Sequence, residues 1–344
     1  MKTKKFLSLI LLMLLASIGC REITVTTQVH RDGSFTRTIR ITGDSSSVFQ
    51  GDLPYPVDST WTMEITPDTV QDSLKNDNIV LIYTKHFDNS EELMYEIGSD
   101  TSWRRQLSRE LSITSKFGFF YSYPTFREVF QPANPFTFLS YQDFLTHEDL
   151  LWLSGQHPVR CHADSLRFDE ADKKAEQFLL ASITAEIEHI LREGIVRLND
   201  PALQPEEVSR AHDSIQGFVE SWKFDQPEEI AKGFQRWTGN PAADELVALT
   251  PSLFSDFVKK VDLFNQLILM ESYSETVEMP GLIIETNSSV LKGSQVTWEI
   301  QPMGLLFEPY EMIVESRVVN NWAFIVTGIL LVLLVVVLVL KALK

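Results

Sequence analysis

Apolar and polar positions alternate twice at the start of the chain. Ile23, Val25, Thr27 and Val29 fall in one phase, and after Asp32-Gly33 so do Phe35, Arg37, Ile39 and Ile41. A period of two places one face of a strand on a core. Asp-Gly between two such runs predicts a hairpin with a type I′ turn, both central residues at positive φ. Residues 59–66 (STWTMEIT) and 78–87 (NIVLIYTKHF) read as further strands, and 90–97 as a short helix capped by Asn89 or Ser90. Residues 109–130 are rich in aromatic and β-branched side chains and read as one or two long strands, bent at Gly118 or Pro124. Residues 131–165 keep neither period, although Phe136, Phe144 and Trp152 need burial.

The period then changes. Ala175, Phe178, Leu179, Ile183, Ile187, Ile190 and Leu191 recur at helical spacing within 169–198, and Asn199-Asp200-Pro201 ends that run. Pro205 with Glu206 and Glu207 opens a second helix, to Trp222. Pro227 with Glu228 and Glu229 opens a third, which Gly239 ends. Proline suits a first turn, and acids there complement the helix dipole. Thr250-Pro251 is expected to open a fourth helix of some twenty residues. Strand patterns return at 272–279, 282–286, 295–300 and 310–319, with a turn at Pro280-Gly281.

Strands, helices and strands again predict an α+β fold: an antiparallel sheet from N- and C-terminal strands with an inserted helical block. The expected divisions are a β-rich part over 20–165, a helical insertion over 166–271 and a C-terminal β segment over 272–319. The first and last strands are expected to pair, or to lie at most one strand apart.

Trp322 to Leu340 reads WAFIVTGILLVLLVVVLVL, without a charge. Its 19 residues rise about 28 Å at 1.5 Å each, enough for the hydrocarbon of a bilayer. A single transmembrane helix over 322–340 is therefore expected, with 341–344 as its tail. Lys341 and Lys344 follow it and no acid lies beyond Glu315, so the positive-inside rule puts the tail in the cytoplasm and the preceding residues outside. At the other end Lys2, Lys4 and Lys5 precede an apolar run from Phe6 to Ala16, the layout of a signal peptide over 1–19. Gly19-Cys20 is similar to a bacterial lipoprotein signal, which implies lipidation of Cys20; ordinary cleavage and an uncleaved anchor are the alternatives. Location in the cytoplasmic membrane, single-pass, with an extracytoplasmic ectodomain, is the joint expectation.

The chain carries 30 basic and 47 acidic residues, a net −17. Setting aside Lys2, Lys4, Lys5, Lys341 and Lys344 leaves 25 basic against 47 acidic, −22. So acidic a surface argues against nucleic acid as a partner. The two cysteines are Cys20 and Cys161, too few for a disulfide framework if Cys20 is lipidated.

Candidate chemistry is sparse. His157, Cys161 and His162 lie together in HPVRCHAD, where a thiolate beside imidazoles would bind zinc or act as a nucleophile. A zinc site needs a second ligand pair, which the sequence does not supply, so no metal or cofactor is expected. Glu186 and His189 form one Glu-x-x-His; a di-iron bundle needs two, and a solvated helix face is the plainer reading. No Gly-x-Ser-x-Gly, Walker A or His-Glu-x-x-His motif occurs.

The VHRDGSF hairpin, the cysteine just before the first strand, and the segment PGLIIETNSSVLKGSQVTWEI, with Pro280, Gly281, Asn287, Gly293, Val296, Thr297 and Trp298, resemble the LppM-type domain of bacterial envelope lipoproteins. The resemblance implies an envelope-anchored β-rich module and brings no catalytic residues with it. A non-enzymatic ectodomain that binds another envelope protein or lipid, or scaffolds an assembly, is the expected function. A lipid or glycolipid carrier and an unrecognised hydrolase around Cys161 are the alternatives.

Overall fold

The two alternating runs become a hairpin in the computed structural model, which describes residues 21–49, 53–67, 78–222 and 224–343. The signal-like segment 1–19 and Cys20 lie outside the described residues. Strands β1 (Glu22–Val29) and β2 (Phe35–Asp44) pair antiparallel, with Val29 opposite Phe35. The turn differs from the type I′ expectation. His30 N donates to Ser34 O, three residues lie between, and only Gly33 takes positive φ, at 92°. A three-residue loop needs the left-handed conformation once, at its last position, and glycine supplies it.

β3 (Thr62–Pro67), β4 (Asn78–Phe87) and helix α1 (Ser90–Ser99) follow, the helix capped by Asn89, whose side chain accepts from Glu92 N. β5 (Arg109–Phe117) and β6 (Tyr121–Phe130) form a hairpin that turns at Gly118, while Pro124 stays inside β6. The helices are α2 (His147–Leu153), α3 (His162–Leu198), α4 (Glu206–Arg210), α5 (His212–Val219), α6 (Pro227–Thr238), α7 (Asp244–Leu253) and α8 (Ser255–Ile268). Then come β7 (Tyr273–Glu278), β8 (Leu282–Thr286), β9 (Val290–Lys292), β10 (Gln295–Ile300), the single turn α9 (Gly304–Phe307), β11 (Tyr310–Val319) and α10 (Asn321–Ala342).

The helical stretch departs from expectation in three places. α3 starts at His162, seven residues before Asp169. The helix expected from Pro205 breaks at Ala211, whose N–H is shared among the carbonyls of Glu207, Val208 and Ser209, giving α4 and α5. Pro251 opens nothing: it sits near the end of α7, and the next helix begins at Ser255 after a break at Phe254. Asp244 and Glu245 in the first turn of α7 are the acidic start that the proline obscured.

The chain divides into two compact units. Among the described residues, the first runs from 21 to 130 and over 272–300 and 310–343. The second comprises 131–271 and 301–309, so it takes in the stretch 131–165 that kept neither period.

The first unit holds two sheets, ordered β3-β4-β2-β1-β7-β10-β9 and β5-β6-β11-β8. β1 and β7 are parallel, and the intervening chain provides the long crossover that parallel neighbours require. N- and C-terminal strands thus share the larger sheet, as the α+β reading expects. The last strand does not join them: β1 and β11 lie in different sheets, against the expected pairing. Each buries a single face, through Ile23, Val25, Thr27 and Val29 on β1 and through Tyr310, Met312, Val314, Ser316 and Val318 on β11. A strand in a second sheet stacked about 10 Å away buries one face just as a neighbour within the same sheet does.

The turn between β7 and β8 brings backbones together. Gly281 has φ of 89°, and a Cβ there would lie 2.4 Å from Arg317 O on β11. Gly293 also has positive φ but faces open space. Gly281→Ala is expected to lose about 1–3 kcal/mol of stability, from strain and a forced shift of β11. Gly293→Ala should lose only the conformational part. Thermal unfolding of the two purified variants followed by circular dichroism checks this; equal losses would contradict the steric account.

Candidate functional site

The 37-residue helix α3 lines a concavity in the second unit. Gln177, Leu180, Ala181, Thr184, Ala185 and Glu188 stand three or four residues apart and line one stripe of it. His212 and Gln216 of α5 and Glu220 just past its end supply the facing stripe, and Leu139 and Phe144 complete the lining. Between them is a half-open cleft of about 580 Å³. Small side chains at 181 and 185 keep its floor low. Phe144 is fixed by an edge-to-face contact with Phe178, 5.6 Å between centroids.

The rim is polar and held in place. Glu188 Oε2 accepts from Arg192 Nη2 at 2.9 Å, and Glu188 Oε1 lies 2.5 Å from His212 Nδ1. Gln216 donates to Glu220 at 2.9 Å. An apolar floor with a fixed polar rim suits one side of a partner helix or an extended segment.

The Cys161 group does not converge. Cys161 is exposed and caps the N-terminus of α3, its backbone N–H donating to Asp164 Oδ2 at 3.1 Å. Asp164 sits below the usual carboxylate range, chiefly through the Arg160 backbone N–H that it accepts. His157 packs on Trp152, 4.9 Å between centroids, and faces Glu148 at 3.6 Å. His162 is the first residue of the helix and is exposed to solvent. Among the described residues no three His, Cys, Asp or Glu side chains are grouped to hold a metal ion.

Glu186 departs from the solvated-face reading. It is buried and paired with Lys260 Nζ at 2.6 Å, while His189 packs on Phe138 at 4.7 Å. The pair ties α3 to α8.

Charged residues also meet where the two sheets of the first unit face each other, in a cluster that matches no sequence motif. Arg37 on β2 donates through Nη2 to Glu128 Oε2 on β6 at 2.9 Å and through Nε to Thr27 on β1 at 2.9 Å. Glu275 on β7 lies 3.5 Å from Arg37 and accepts from Thr27 at 3.0 Å. The Tyr55 hydroxyl is 3.1 Å from Glu128 and 3.2 Å from Glu275. Arg109 on β5 donates to Pro54 O at 2.7 Å and lies 3.7 Å from Glu128. Both guanidiniums lie against the Tyr55 ring, at 4.3 and 4.4 Å. Burial pushes the Glu275 carboxyl up to about 7; Arg37 offsets part of this and Glu128 adds to it. The phenols of Tyr55 and Tyr273 are also raised, first by burial. Arg37, Glu128 and Glu275 have no exposed surface, so this cluster joins the sheets rather than receiving a ligand.

The described helix α10 has 22 residues, and an 18-residue window within it has a mean hydropathy of 3.4; it is long and apolar enough to cross a membrane. No protein-family model, no curated protein and no solved structure matches the chain.

Proposed function

We propose that this protein is a membrane-anchored, non-enzymatic binding or scaffolding protein of the cell envelope. In this reading α10 crosses the cytoplasmic membrane once and the folded units stand outside it. Signal cleavage with lipidation of Cys20, and kinship with the LppM-type domain, belong to the same proposal. The cleft between α3 and α5 is the recognition surface, and its occupant is a helical or extended segment of another envelope protein. The observation that carries this is the cleft itself: an apolar floor at Leu180, Ala181 and Ala185 beneath a rim that Glu188, Arg192 and His212 hold fixed. The half-open form suits a protein segment better than an engulfed lipid tail.

A photo-crosslinking amino acid at Ala181 in the full chain, in intact cells, tests it. Val196, on the same helix and 67 % exposed, is the control position. The expected result is one discrete adduct of protein size at Ala181 and none at Val196. Adducts of lipid mass would favour the carrier reading. Identical patterns at both positions would remove the cleft as the recognition surface.

A further inference from the structure

Aromatic rings gather where the small sheet meets α10. Phe117, Phe119 and Phe120 stand at the tip of the β5–β6 hairpin, Trp322 and Phe324 in the first turn of α10. Phe117 stacks on Trp322 at 6.1 Å and 4°, Phe119 meets it edge-on at 5.2 Å, and Phe120 lies 4.9 Å from Phe324. Yet these rings remain between 36 % and 71 % exposed. A contiguous exposed apolar patch of this kind marks a contact surface.

We infer that the β5–β6 tip is a second membrane contact: together with Trp322 and Phe324 it forms an aromatic collar seated in the headgroup layer of the bilayer that α10 enters. The inference rests on α10 being a membrane span and is independent of the cleft.

Three further observations point to lipid. The first is position. Aromatic side chains belong at the boundary between hydrocarbon and water, and the collar surrounds the start of the span. β11 pairs with β6 up to Val319 opposite Tyr121, so tip and helix entrance form one hydrogen-bonded body. The exposed Leu282 and Val319 widen the apolar rim.

The second is backbone satisfaction. Asn320 donates to the tip carbonyls: its Nδ2 to Gly118 O at 2.8 Å and Phe119 O at 3.4 Å, its N–H to Phe120 O at 2.9 Å. Ser122 Oγ donates back to Asn320 Oδ1 at 3.0 Å, and Gly118 N to Tyr121 O at 2.8 Å. A turn whose carbonyls at 118, 119 and 120 are all met internally loses less on entering a region poor in water.

The third is charge. In a chain of net −17, no acid occurs from Phe117 to Arg127 or beyond Glu315. Lys116 borders the tip, and the Arg317 guanidinium lies over the Tyr121 ring at 4.9 Å. The collar thus carries no acid of its own for anionic headgroups to repel.

The test uses the full chain, with Cys20→Ser and Cys161→Ser, reconstituted in phosphatidylcholine vesicles containing some phosphatidylglycerol. An environment-sensitive fluorophore is attached at Phe119→Cys, at Leu331→Cys within the span, or at Glu110→Cys. Glu110 is seven residues up β5 from Phe117, about 24 Å from the tip at 3.4 Å per residue. Lipids carrying a nitroxide near the headgroup serve as quencher for positions 119 and 110, and lipids carrying it deep in the acyl chain for position 331, which lies about 14 Å from either end of the span at 1.5 Å per residue. The expected result is quenching at Phe119 several-fold stronger than at Glu110, with blue-shifted emission. Quenching at Leu331 but not at Phe119 would overturn the collar and leave the span intact. No quenching at Leu331 would overturn both. A Phe119→Cys crosslink between two copies in the same vesicles, without lipid quenching, would assign the tip to a second copy and overturn the proposal. Phe120→Cys repeats the measurement should Phe119→Cys fail to fold.

Discussion

Glu128→Ala is expected to destabilise the protein by about 3–5 kcal/mol, the usual cost of removing one partner from a buried ion pair. A domain is typically stable by only about 5–15 kcal/mol, so much of the folded population at physiological temperature is at stake. Glu128 accepts from Arg37, lies close to Arg109 and is within reach of the Tyr55 hydroxyl. Without it, two guanidiniums remain in a dry interface with one carboxylate between them. Replacing both partners, as Arg37→Met with Glu128→Leu, should cost clearly less than Glu128→Ala alone, because no charge is stranded and the space stays filled. Urea unfolding of the chain in detergent, monitored by tryptophan fluorescence, measures both. A loss below about 1 kcal/mol for Glu128→Ala would show that the cluster is solvated rather than dry.

Part of this cluster is legible in the amino-acid pattern alone. Arg37 falls in phase with Phe35, Ile39 and Ile41, Glu128 with Phe126 and Phe130, and Glu275 with Tyr273 and Val277. A charge in phase with the buried face of a strand is either an error of phase or a buried charge. Charges of both signs on three strands favour the second. Tyr55 carries no such signal, since it reaches the cluster from a loop.

Strand and helix periods are legible because each element buries one face. Sheet membership is not. The one-sided burial of β1 and of β11 shows that each covers a core, and a strand stacked across that core has the same pattern as one lying beside it. The cleft is illegible for a related reason. Its α3 stripe, Gln177 to Glu188, is a plain amphipathic flank until α5 is placed opposite, and the break at Ala211 that creates α5 has no proline or glycine to announce it. The collar is half legible. The tip aromatics and the span are each visible, but their meeting depends on the pairing of β6 with β11.

Glu275→Gln is expected to flatten the pH dependence of stability near neutrality. Two carboxylates share the cluster, but Glu128 faces two guanidiniums and Glu275 only one, at 3.5 Å. Tyr55 has one proton to give and lies between both acids. Donation from Tyr55 to Glu128 leaves its oxygen free to accept from a protonated Glu275, so the geometry has a place for that proton. The folded carboxyl titrates near 7, raised from an ordinary value of 4.5. Below 4.5 both folded and unfolded chains hold the proton, and this group adds no slope. Between 4.5 and 7 the folded chain holds a proton that the unfolded chain has released, so stability falls as pH rises, by at most about tenfold in the folding equilibrium per pH unit. Above 7 the slope from this group vanishes. Glutamine imitates the protonated acid, accepting from Thr27 and donating to Tyr55 without a charge to ionise. The variant should therefore gain on the wild type steadily as pH rises from 5 to 7, while slopes from other groups cancel in the comparison. Urea midpoints of both proteins across that range give the difference directly; parallel curves would place the proton elsewhere than on Glu275.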